Sequence, residues 1–118
     1  MSDLNVFGFD VDDSVNINGT SLQGTVQTTY DNLVEVLGEP TYTDANPYEK
    51  VACEWTINAK VEDPDTIFNH DFEEDDFYYK PLSVYCWKTG RIPTEKYDWH
   101  IGGNDYQAVE IAEKIILG

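Results

Sequence analysis

The chain has 118 residues, a length that suits one domain around one core, and 41% hydrophobic with 14% aromatic residues supply that core. Twenty-three Asp and Glu against seven Lys and Arg leave a formal charge of −16, which excludes the basic stripe that direct binding to nucleic acid or an anionic membrane requires. No apolar run approaches the roughly 20 residues of a membrane span, and MSDLNVFGFD lacks the basic stretch of a signal peptide, so a soluble protein kept in its compartment of synthesis is expected.

In chain order, LNVFGFDVDDSVNI mixes apolar residues with turn formers and reads as one or two short strands, with a hairpin turn near Asp12 and Asp13. A helix is expected next. Leu22, Val26, Tyr30, Leu33 and Leu37 recur at helical steps; Thr20 with Gln23 forms a capping box, with Ser21 as the competing cap. Gly38 and Pro40 close that helix. The run VACEWTINAKV then alternates, with Val51, Cys53, Trp55, Ile57, Ala59 and Val61 on one face and Glu54 among the polar residues on the other.

Residues 62 to 79 carry eight carboxylates and no Lys or Arg, which favours an exposed loop, yet Phe and Tyr residues interrupt the charge. A second strand follows, with Leu82, Val84 and Cys86 opposite Ser83, Tyr85 and Trp87, and then a turn at Lys88-Thr89-Gly90. A third strand runs through Tyr97, Trp99 and Ile101, which sends His100 to the opposite face. The final helix places Val109, Ala112 and Ile116 on one stripe, with Asn104 and Gln107 as its capping box. The fold class expected is α+β, an antiparallel sheet of three to five strands with two helices packed on one face. Cys53 and Cys86 belong to no CxxC pair; two buried thiols are expected, with an inter-strand disulfide as the open alternative.

Little in the chain points to catalysis or metal. Asp10, Asp12, Ser14 and Asn16 start like a calcium loop, but Val15 stands where glycine is needed and Ser21 where the closing Glu is needed. GxSxG, GxxxxGK and HExxH are absent. His70 and His100 lie far apart in sequence. No enzymatic activity, cofactor or metal is therefore expected.

Two candidate sites remain. In the acidic segment, Asp71, Glu73, Glu74, Asp75 and Asp76 imitate phosphates, while Phe72, Phe77 and Tyr78 supply buried contact area, a surface suited to a basic groove. The other site pairs the two helix entrances. Thr20, Ser21, Gln23 and Gly24 would face Trp99, His100, Gly102, Gly103 and Asn104, framing a nucleotide-type ligand at two helix N-termini.

The combination GTSLQG, TTYDNLVEVLGEPT and WHIGG resembles a group of small proteins encoded by tailed phages, over about two-thirds of the chain from Gly19 to the last helix. The acidic segment is an insertion relative to that pattern. GTSLQG followed by LGEPT is also similar to the helix-then-strand start of small periplasmic lipoproteins and β-lactamase-inhibitor proteins, which carry an export signal that is missing here. The phage resemblance implies a binding protein in the host cytoplasm. It would inhibit a host defence protein by masking its basic, nucleic-acid-binding surface. The alternatives are sequestration of a nucleotide-type immune signal and a virion or housekeeping role.

Overall fold

The computed structural model describes residues 5–15, 17, 19–43, 51–62 and 78–118. Six strands and two helices lie in them: β1 Asn5–Val11, β2 Ser21–Thr28, α1 Tyr30–Leu37, β3 Tyr42–Thr43, β4 Cys53–Glu62, β5 Tyr78–Tyr85, β6 Tyr97–Gly103 and α2 Gln107–Ile116. The strands form one antiparallel sheet in the order β1-β4-β5-β6-β2, with the short β3 pairing β4. The α+β class is thus as expected, with one strand more than the expected range. No helix among the described residues is long and apolar enough to cross a membrane.

Alternation in β4 is complete. Cys53, Trp55, Ile57, Ala59 and Val61 are fully buried, and the register sets Trp55 beside Val84 and Val84 beside Ile101. Helix α2 lies against β6, β2 and β5 and touches α1. It buries Ala108, Ile111, Ala112 and Ile116. Helix α1 buries Leu33 and Leu37, and its Tyr30 ring packs on Trp55 at 5.8 Å.

The expected first helix begins one strand too early. Ser21–Thr28 is β2, paired with β6, and the residue that caps α1 is Thr29, whose hydroxyl accepts from the Asn32 N–H at 3.2 Å. Leu22 and Val26 misled because a step of four fits a strand's period of two as well as a helical turn. Thr25, Val26 and Thr28 favour strand over helix, and Gly24 is a poor helix former. A register shift between Leu22 and Gly24 then turns Leu22 outward, at 55% exposure, while Val26 and Thr28 point inward.

Three further expectations change. β1 makes no hairpin with β2: the two strands form opposite edges of the sheet, and the turn after β1 is an Asx turn in which Ser14 N–H donates to Asp12 Oδ1 at 2.9 Å. Asn104 does not cap α2. Asp105 does: its Oδ1 accepts from the Gln107 N–H at 3.0 Å and its Oδ2 pairs with Lys80. The acidic segment is also narrower than expected, since Glu62 ends β4 while Tyr78 and Tyr79 open β5.

Glycine is required where α2 meets the sheet. A Cβ on Gly103 would stand 2.3 Å from the Ala108 Cβ, and one on Gly24 would stand 2.8 Å from Val109 Cγ2. Gly8, on β1, has nothing within 4 Å. Gly103→Ala is expected to lower stability by about 1–3 kcal/mol through overpacking, and Gly24→Ala by less, because a side-chain methyl can give way where a backbone-anchored Cβ cannot. Urea titration of both, with Gly8→Ala as the control that stays close to wild type, checks the ranking.

Candidate functional site

The structure does not form the paired helix entrances. Thr20 immediately precedes β2 while Ser21, Gln23 and Gly24 lie within it, and Ser21 and Leu22 are the ladder partners of Gly103 and Gly102. Gln23 spends its amide on its own chain, donating to Gly103 O at 3.1 Å and to Ser21 Oγ at 3.1 Å. Trp99, expected to help frame the ligand, is fully buried. The space beside the glycines is filled by Val109, Ser83 and Ala108. Asn104 is exposed, and His100 lies on the sheet face opposite Trp99. Of the acidic-aromatic site, Asp71, Phe72, Glu73, Glu74, Asp75, Asp76 and Phe77 lie outside the described residues, as does His70, and Tyr78 is the first residue of β5.

What the structure does bring together is a row across the face opposite Trp55. The register joins Thr25 to His100, His100 to Tyr85, Tyr85 to Glu54 and Glu54 to Tyr42, spanning β2, β6, β5, β4 and β3. The His100 ring stacks on Tyr85 at 5.4 Å and 26°. Trp87 meets Tyr85 edge-on at 6.3 Å, and the Trp87 N–H donates to the Tyr97 hydroxyl at 3.2 Å. Leu22 and Tyr79 extend the same face through their partners Gly102 and Lys60.

Electrostatics gives this row its character. Burial pushes the Glu54 carboxyl above its ordinary pKa, because a carboxylate half-removed from water is poorly solvated. Burial also raises the Tyr85 phenol, and the Glu54 charge raises it further. The His100 Nδ1 is buried with no hydrogen-bond partner among the described residues. A poorly solvated carboxylate between aromatic rings suits a Lys or Arg, which would restore its charge balance and lie against the rings. Among the described residues no three His, Cys, Asp or Glu side chains converge in a metal-holding group.

No protein-family model, curated protein or solved structure matches this chain.

Glu54 makes a pH prediction. A carboxyl whose pKa is raised by folding binds its proton more tightly in the folded chain. Its contribution is therefore most favourable in acid and worsens as pH rises through the raised pKa. Glu54→Gln is expected to unfold at a higher urea concentration than wild type near about pH 8, with the difference closing near about pH 4. Paired urea titrations at the two pH values check the sign.

Proposed function

We propose that the protein acts by stoichiometric binding, its acidic surface occupying a basic, nucleic-acid-binding site on a partner protein. The phage resemblance makes that partner a component of host defence and the protein a counter-defence inhibitor working in the host cytoplasm. The observation that carries the reading is the charge: 23 acidic residues stand against seven basic ones. Lys80 and Arg91 are moreover already paired with Asp105 and Glu95 of the same chain. Excess carboxylates held on a folded scaffold attract a basic groove at long range and fix its register at contact.

Two features support a protein partner over a solubility role. The acidic segment is held at both ends by adjacent strands, since Val61 at the end of β4 pairs with Tyr78 at the start of β5. The face that carries Glu54 also displays Tyr42, Tyr79 and Trp87, exposed by 43%, 59% and 40%. Exposed Tyr and Trp are the residue types enriched in binding hot spots. In this reading both helices keep to the Trp55 face and leave the Tyr85 face to the partner.

The test is capture from host lysate across a salt series. Replacing Glu73, Glu74, Asp75 and Asp76 together with Gln or Asn is expected to cut capture of basic proteins by about tenfold or more at low salt, and to flatten its salt dependence. Capture unchanged across the series would sink the reading. Glu54→Gln adds a second arm: the substitution that stabilises the fold is expected to weaken capture, the mark of a residue kept for binding at the expense of stability.

A further inference from the structure

We propose that Cys53 and Cys86 form a peroxide-reactive dithiol that closes to a disulfide between β4 and β5. Both cysteines are free and fully buried, side by side in one core. The ladder pairs Glu54 with Tyr85 and Trp55 with Val84, so the same register continued by one residue sets Cys53 opposite Cys86. Their side chains are in hydrogen-bond contact, the Cys53 thiol donating to the Cys86 sulfur. Cysteines facing each other across neighbouring strands have Cα atoms within the span a disulfide bridges.

The two sulfurs are not equivalent. Donors converge on Cys86: the Cys53 thiol first, then the Thr89 side chain and the backbone N–H groups of Cys53 and Ala52. The Thr89 hydroxyl has one proton and gives it to the Arg91 carbonyl at 2.6 Å, so the Cys53 thiol and the two backbone donors are the standing support. These donors lower the pKa of Cys86 against the opposing effect of burial, while the Cys53 thiol, as donor, is pushed up. Cys86, which lies beyond the end of β5, is therefore the attacking sulfur, and Cys53, inside the β4 ladder, the resolving one. Cys86 lies one residue past the end of β5, where Lys88 and Gly90 take φ values of 55° and 73° in the turn that follows. Thr89, whose side chain reaches Cys86, also lines an open depression of about 180 Å³ with Arg91 and Tyr97.

The chemistry balances with hydrogen peroxide as the oxidant. The Cys86 thiolate attacks one peroxide oxygen; an S–O bond forms, the O–O bond breaks, and the departing hydroxide takes a proton to become water. The Cys53 sulfur then attacks the Cys86 sulfur; the S–S bond forms, the S–O bond breaks, and the second hydroxide leaves as water with the Cys53 proton. Two thiols and one peroxide become one disulfide and two waters.

The experiment treats the folded full-length chain with hydrogen peroxide, alkylates remaining thiols after denaturation, and reads intact mass. The expected product is a monomer that has lost about two mass units and takes up no alkylating agent. Cys86→Ala is expected to slow thiol oxidation by about tenfold or more, whereas Cys53→Ala accumulates a dimedone-trapped sulfenic acid on Cys86. The proposal is overturned if the folded chain keeps two alkylatable thiols under conditions that oxidise the urea-unfolded chain. It is equally overturned if peptide mapping of the wild type places the first oxidation on Cys53. Neither of these readouts depends on a variant that folds.

Discussion

Two indole N–H groups hold this fold together. Trp55 and Trp99 meet edge to face at 5.7 Å in the centre of the sheet, and neither exposes any surface. A buried indole N–H without a partner costs about 1–3 kcal/mol, so each must reach a carbonyl. Trp99 donates to Thr28 O at 3.1 Å and Trp55 donates to Gly38 O at 2.9 Å. Those carbonyls lie just before and just after α1. The two residues that fill the core thereby also fix where the helix begins and ends. Asn32 adds a third tie, its amide donating to Thr28 Oγ1 at 3.0 Å and to Ile116 O at 3.3 Å, which fastens α1 to the end of α2.

That arrangement leaves the two sheet faces with different tasks. One is filled by tryptophan, aliphatic and cysteine side chains and by α2, which approaches so closely that only glycine fits at positions 24 and 103. The other carries Glu54, Tyr85, His100 and Trp87, groups with apolar bodies and polar or charged tips. Glu54 is kept at an electrostatic disadvantage in this setting. A protein with 23 acidic residues has no need of one more in a poorly hydrated place for solubility alone. The proposed basic partner would give that carboxylate a purpose, and the same partner would meet the acidic segment between β4 and β5.

The core thiols couple to this face through the backbone. Cys53 and Cys86 are the immediate chain neighbours of Glu54 and Tyr85, but their side chains point to the opposite side of the sheet. A covalent link between them would fasten the two strands directly behind the Glu54–Tyr85 pair, on either side of residues 63–77.

The sequence by itself determined the α+β class, the strand through Cys53–Glu62, the strand through Tyr97–Gly103 and the last helix, because hydrophobic alternation and helical stripes are local properties of the chain. It also determined the closure of α1 at Gly38, whose φ of 83° requires glycine, and the side of the sheet to which His100 points. Only the tertiary structure decided the fate of the stretch from Gly19 to Gly24. A four-residue apolar step serves helix and strand alike, and what made Ser21–Thr28 a strand was the free edge of β6, with which it pairs. The same holds for the Glu54–Tyr85–His100 row and for Cys53 beside Cys86. Each member sits on the face that alternation predicts, but which residues become neighbours depends on strand order and register, and these are set by long-range pairing that no local pattern encodes.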